Sequence, residues 1–312
     1  MNHSKKIAGA GLALLTVLCL TALGLAACSN LSVGPGGGGG FPAYTLKAIP
    51  AGTVNADTGS TGGPFAKAGT TAVSVSAFSI GRTEVTWELW NAVKTWAVGA
   101  KGYVFANPGR QGGASGTGPV GTNQHPVTTI SWRDAVVWCN AYSEAMGKSP
   151  VYYLSGTSDF TDTTKVLRES ESDTVSAGDG KAEQAVLNGG ANGFRLPAEK
   201  EWEYAARGGV PGTSTPWTYT YAGSNDEDDV AVYGDGSTSS TAAVKSKTAN
   251  TAELHDMSGN VWEWCQDVYS GTLRVFRGGG WGSGASGCTV SWRSSSSPGN
   301  RNGLLGFRVV CP

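Results

Sequence analysis

Charge is scarce in this chain: Asp, Glu, Lys and Arg make up 15% of its 312 residues, and the net charge is −1. That is below the usual quarter of a globular chain. No basic surface points to nucleic acid, and no acidic run would serve as a solvated tail. Histidine is scarcer still, with His3, His125 and His255 standing far apart. No Cys-x-x-Cys spacing occurs. A zinc site or a Ser-His-Asp triad therefore has little to build on. The acidic run Asp226 to Asp229 lacks the alternate spacing and glycine of an EF-hand loop, so a solvated loop is expected there.

What the chain has in excess is glycine, 47 residues, and tryptophan, 11 residues. The glycine predicts a loop-rich fold. The tryptophans are expected as core anchors for those loops rather than as a row of sugar-stacking rings. The start is different in kind. Lys5 and Lys6 precede an apolar run from Ile7 to Ala27. The run ends Leu25-Ala26-Ala27-Cys28, which resembles the bacterial lipobox. This implies a signal peptide over 1–27, removal before Cys28 and lipidation of that cysteine. The expected location is the bacterial outer membrane, facing outward, with the lipid membrane as one partner. A plain membrane anchor is the alternative. Residues 28–44 read as a Gly-rich tether, and 45–312 as one domain. Four cysteines follow Cys28, namely Cys139, Cys265, Cys288 and Cys311. In an exported chain these are disulfide candidates, with three pairings open.

Periodicity predicts few regular elements. Residues 72–85 read as strand with a turn at Gly81. Thr86 is placed to cap a helix with Trp87, Trp90, Val93 and Ala97 on one face. Ser131 and Asp134 have the spacing of a capping box, with Ala135, Trp138, Cys139, Tyr142 and Met146 facing inward and Gly147 as the stop. Pro197 opens a third helix carrying Glu199, Glu201 and Glu203 near its positive end. Short strands are expected at Pro126–Ile130 and Val151–Leu154. Residues 155–192 form an excursion with one helical patch from Lys181 to Leu187.

The last segment, 277–312, has a regular frame: Arg277-Gly278-Gly279, Trp281, Cys288, Val290, Arg293, Pro298, Arg301 and Gly306-Phe307-Arg308. Small or unrelated residues fill it: Gly282, Ser283, Gly284, Ser286, Gly287, Trp292, Ser294, Ser295, Ser296, Ser297, Gly303, Leu304 and Leu305. The frame reads as scaffold and the filling as a display surface, because loops on a rigid scaffold can vary without unfolding the core. Trp292 is the expected anchor of any ligand, as tryptophan is favoured at binding hot spots.

Six blocks in order, FSIGRTEVTWELW, PVTTISWRDAVVWCNAYS, GFRLPAEKEWEYAARGG, DMSGNVWEWCQD, RGGGW and GFRVV, resemble the formylglycine-generating-enzyme (sulfatase-modifying factor) family. The resemblance covers about residues 45 to 312. It implies an α+β chain with that family's variant of the C-type lectin-like fold. The family's oxidases carry two copper-binding thiolates after the RGG motif. Here one of those positions is Cys288 and the other is Ser283. A hydroxyl does not replace a thiolate, so the resemblance implies a member that is no enzyme and needs no cofactor. The resemblance further implies a Cys139–Cys311 disulfide, and the lone Cys288 is itself expected in a disulfide, with Cys265 as one candidate. It also implies a structural calcium ion held by Asp256, the backbone oxygens of Gly259 and Val261, and Glu263, with Asp256 standing where the enzymes have Asn. The triplets of calcium-dependent sugar lectins are missing.

The final segment resembles, in addition, the variable region of proteins diversified by diversity-generating retroelements. An adenine-directed reverse transcriptase rewrites Asn codons between fixed frame residues there, and Gly, Ser and Leu are among its products. The function implied is a surface-displayed lipoprotein that binds a protein or host-surface ligand, not nucleic acid, through a hypervariable C-terminal site. An exported formylglycine-type oxidase and a non-diversified envelope binder are the alternatives.

Overall fold

The computed structural model describes residues 40–54, 64–65, 72–114, 119–172, 174–209 and 217–312. The lipobox, Cys28 and the tether up to residue 39 lie outside these residues. The strands are β1 (Leu46–Ile49), β2 (Gly52–Val54), β3 (Val73–Val75), β4 (Phe78–Gly81), β5 (Arg110–Gln111), β6 (Val127–Thr128), β7 (Tyr152–Tyr153), β8 (Val186–Leu187), β9 (Trp262–Ser270), β10 (Leu273–Arg277), β11 (Arg293–Ser296), β12 (Leu305–Gly306) and β13 (Val310–Cys311). The helices are α1 (Trp87–Lys101), α2 (Trp132–Ala145), α3 (Glu199–Ala206) and α4 (Glu227–Val230). The architecture is α+β, loop-rich, with short strands.

Two sheets organise it. In one, β4 lies between β1 and β13, so the start and end of the domain pair through a strand buried at every residue. The other runs β11-β10-β9-β12. Its centre is the β9–β10 hairpin, turned at Gly271, whose φ of 55° places it in the left-handed region that glycine tolerates. β12 adds to β9 in parallel.

The helices form where their caps lie. The Thr86 side chain accepts from Leu89 N–H at 3.3 Å, and Gly102 ends α1 at φ 70°. Ser131 and Asp134 cap α2 reciprocally. The buried face of α1 is Leu89, Trp90, Val93 and Ala97, with Trp87 half-buried at its edge. Nearly the whole of α2 is enclosed, because it runs through the core instead of lying on it. Trp90, Trp132, Trp138, Trp202 and Trp264 are fully buried. Trp90 and Trp138 stack at 6.0 Å, Trp138 and Tyr142 at 4.9 Å, and Phe307 meets both tryptophans edge-on.

Two local expectations change. Lys181 to Leu187 is a run of turns ending in β8, not a helix. The Arg133 guanidinium of α2 organises it: it pairs with Glu183 at 2.6 Å and donates to the carbonyls of Ser172, Val175 and Ser176. These long-range bonds outweigh a weak local period. The acidic run is one helical turn, α4, because the Asp226 carboxylate accepts the Asp228 N–H at 3.0 Å.

Candidate functional site

In the C-terminal segment most frame residues are buried and most filling residues are not. Arg277, Gly278, Gly279, Trp281, Cys288, Val290, Pro298, Gly306, Phe307 and Arg308 are buried. Gly282, Gly284, Ser286 and Trp292 are exposed, and Ser283, Gly287, Ser294, Ser295, Ser296, Ser297, Gly303 and Leu304 are half-buried. Trp292 is 47% exposed, so it is not a core residue. Leu305 is the correction: on β12, opposite Trp262, it is 2% exposed and belongs to the core, so it is scaffold rather than display surface. Arg293 is half-buried and Arg301 exposed, although the sequence frame includes both.

Several frame residues have a definable task. Arg277 reaches from β10 to Glu203 of α3 at 2.7 Å and donates to the carbonyls of Val290 and Ser291 at 2.9 and 3.1 Å. It thereby fastens the segment preceding β11 to a helix. Gly278 and Gly279 sit at φ 97° and 78°. A Cβ on Gly279 would stand 2.5 Å from the Cys288 sulfur, so glycine is required there and Cys288 packs beneath it. Trp281 donates from its indole to the Gly303 carbonyl at 2.9 Å, tying the two variable loops together. Arg293 grips Glu199 through two bonds of 2.8 and 2.6 Å and lies 4.6 Å over the Tyr269 ring.

The filling residues are brought together in part. Gly282 and Leu304 adjoin: a Cβ at 282 would lie 3.3 Å from Leu304 Cδ2. Ser283 and Gly287 adjoin across the short helical turn Ala285–Cys288. Ser294, Ser295 and Ser296 line β11, in register with Phe276, Val275 and Arg274 of β10. Sequence reasoning missed two residues next to them, Trp262 and Phe276. Both are half-buried and meet edge-on at 5.0 Å. Their signal was present but ambiguous, since an aromatic on a strand reads as core.

Ser283 Oγ accepts the Gly280 N–H at 3.1 Å, as part of a local turn. Burial pushes the Cys288 thiol up to about 12, and burial first, then the charges of Glu199 and Asp267, pushes Cys265 well above its ordinary value. Neither expected disulfide pairing is present: Cys139, Cys265 and Cys288 are free, buried thiols. Cys265 and Cys288 lie in different apolar clusters, and Cys311 is disulfide-bonded to none of the three.

Two side chains of the expected calcium set, Glu263 and Asp256, stand in different surroundings. Glu263 is committed elsewhere. Arg308 donates to its two oxygens at 2.7 and 2.6 Å, and the Trp202 indole to one of them at 2.7 Å. This buried pair fixes the final frame motif to the middle of the chain. Asp256 stands at φ 59° and accepts Lys245 N–H with one oxygen, while its Oδ1 is buried without a hydrogen-bond partner. Glu84 Oε1 is orphaned likewise. Burial first, and the charges of Asp256 and Glu263 next, hold the Glu84 carboxyl well above its ordinary value. Burial raises Asp256 too. Asp256, of the expected set, thus keeps one carboxylate oxygen without a partner. Among the described residues no group of three or more His, Cys, Asp or Glu side chains is arranged to hold one.

Known proteins bear on this arrangement. The chain is 32% identical over 266 residues to the chaperone protein LppX of Paenibacillus barcinonensis, covering 76% of this chain and 81% of the relative. It is 39% identical over 153 residues to the formylglycine-generating enzyme of Streptomyces coelicolor, a match spanning 38% of this chain and 46% of that enzyme. Among solved structures it is similar to Treponema denticola variable protein 1, at 32% identity and a TM-score of 0.63, over 86% of this chain and 95% of that one. It is also similar to CarF, at 29% identity and a TM-score of 0.69, over 86% and 98% of the two chains. The sulfatase-modifying factor enzyme 1-like domain matches residues 43–312, and the chain belongs to that family.

Proposed function

We propose that this protein is a lipid-anchored, surface-displayed binding protein whose ligand site is the filling of the 277–308 segment, diversified by a retroelement. The observation that carries the reading is the split in burial: most of the frame, Arg277 to Trp281, Cys288 and Gly306 to Arg308 above all, is enclosed and bonded to α3, β9 and β10, while the filling apart from Leu305 is exposed or half-buried. Such a surface accepts substitutions without loss of the core. The likeness to Treponema denticola variable protein 1 supports it. Binding is non-covalent, Trp292 serves as an exposed anchor, and the ligand is a protein or host-surface group rather than nucleic acid. Acylated Cys28 holds the protein to the outer membrane. A catalytic role is disfavoured by Ser283 and by the buried, protonated thiol of Cys288. Any calcium is structural and is held by Asp256, whose Oδ1 has no hydrogen-bond partner, together with the backbone oxygens of Gly259 and Val261.

Deep sequencing of codons 277 to 308 from a clonally founded culture tests the reading. Substitutions should gather at 282–284, 286–287, 292, 294–297 and 303–304, with 281, 288, 305 and 308 fixed. A uniform segment, without an adenine-rich template copy nearby, would leave only a fixed envelope binder.

A further inference from the structure

Arg274 of β10 is a buried cation without a counter-charge in contact. It is 9% exposed, and its guanidinium stacks at 4.0 Å on the Trp132 ring. Among the described residues its one hydrogen bond runs from Nη1 to the Gln266 carbonyl at 3.0 Å, and its Nε is buried without a partner. Stacking on an indole offsets only part of the cost of burying such a charge. Directly opposite Arg274 on β11 is Ser296, and directly opposed residues share one face of an antiparallel pair. The Ser296 hydroxyl accepts from Asn300 Nδ2 at 2.8 Å. Asn300 in turn lines a surface cavity of about 390 Å³ together with Ser297, Gly299 and Arg301. Among the described residues no carboxylate lines that cavity. Arg301 belongs to the sequence frame yet is exposed, so burial gives no reason for an arginine there.

We infer that this cavity is an anion subsite at the edge of the variable surface, and that it takes the carboxylate of an Asp or Glu side chain of a protein ligand. The subsite rests on the proposed reading of 277–308 as a binding surface and adds the charge which that surface recognises. Arg301 carries the forked N–H donors that match a carboxylate. Ser297 and Asn300 add neutral donors beside it. Arg274 does not touch the ligand. It lies behind Ser296, out of water, and its field adds to that of Arg301. Both arginines are outside the filling, so every variant of the surface keeps the preference for a negative group. Ser297 and its neighbours then set which partner fits, which separates a constant electrostatic attraction from a variable specificity.

The test uses the full chain labelled with nitrogen-15, followed at the Arg301 Nε–H and the Asn300 side-chain amide. Arg301→Lys and Asn300→Ser assign the two signals. N-acetylglutamate N-methylamide is titrated at constant ionic strength, with its glutamine counterpart and inorganic phosphate in parallel. The glutamate probe should shift both signals saturably, and the glutamine probe should not. Arg301→Gln should weaken the shift at the Asn300 amide about tenfold. Ser296→Asp, which sets a carboxylate of the chain itself opposite Arg274, should also weaken the probe about tenfold. Lys165→Gln, which removes an equal charge on another element, should leave the titration unchanged. An equal response to the glutamine probe, or an affinity that survives Arg301→Gln, would overturn the subsite. An affinity unchanged in Ser296→Asp would overturn the part given to Arg274, and tighter binding of phosphate would overturn the carboxylate as ligand. Uniform codons over 277–308 would remove diversification and leave this titration standing. A failed titration with variable codons would overturn the subsite and leave the variable surface without a constant charge preference.

Discussion

At the scale of single residues, the difference between frame and filling is steric before it is functional. Two glycines of the same segment show this. Gly279 has φ 78° and the Cys288 sulfur where a Cβ would go; Gly284 has open space around it and an ordinary backbone. Gly279→Ala is expected to destabilise the protein by more than about 1 kcal/mol, whereas Gly284→Ala should stay within about 0.5 kcal/mol. Urea denaturation of the two variants checks this, and equal midpoints would remove the distinction. Leu305 teaches the same lesson in reverse. In sequence it continues the filling, but its side chain belongs to the main core cluster, which also holds Trp264 and Phe307. Neighbouring residues on a strand point to opposite faces, so a run of three in sequence need not be a run in space.

Elements were legible where their signals are local. The caps of α1 and α2 depend on side chains three residues apart, and both form as the spacing predicts. α3 departs from this rule: its N-cap is Ala198, which offers no side-chain acceptor, and Glu201 alone reaches back to the Ala198 N–H at 2.8 Å. Ala198→Ser should therefore stabilise the protein by about 0.5–1 kcal/mol. The midpoint of thermal unfolding should rise accordingly; a fall would show that the half-buried position cannot hold a hydroxyl. Strands were less legible. Most are two to four residues long, and pairing partners far away in sequence decide whether so short a piece becomes a strand. The helical patch expected over Lys181 to Leu187 failed for a related reason, since the partner that shapes that stretch, Arg133, lies on another element.

At the scale of the whole molecule, buried charges tie the ends of the chain to its middle. Arg308 grips Glu263 and donates to the carbonyls of Gly81 and His255, so one guanidinium gathers three distant segments. Beside it Glu84 and Asp256 are both raised, burial being the first cause for each. A carboxyl raised in the folded state binds more protons there than in the unfolded chain. Its stabilising contribution is complete below the ordinary value and is lost as pH rises through the raised one. In chelator-containing buffer the unfolding temperature should thus fall as pH goes from about 5 to about 8, and Glu84→Gln should flatten the fall. Added calcium chloride should oppose it in the parent chain and not in the Asp256→Ala variant. A slope unchanged by Glu84→Gln would assign the pH dependence to other groups.

Sequence by itself determined the ordered motifs of the family, the two capping signals, the role of tryptophan as core anchor and the frame within 277–308. These rest on short spacings and on residue types whose chemistry admits few uses. Tertiary structure decided the rest. It set Leu305 inside, kept Cys139, Cys265 and Cys288 as separate thiols, gave Glu263 to Arg308 and packed Trp262 and Phe276, half-buried, against the core. Each of those outcomes depends on which distant residue arrives next to a side chain. That is settled by the packing of the sheets and helices as a whole, and no local pattern contains it.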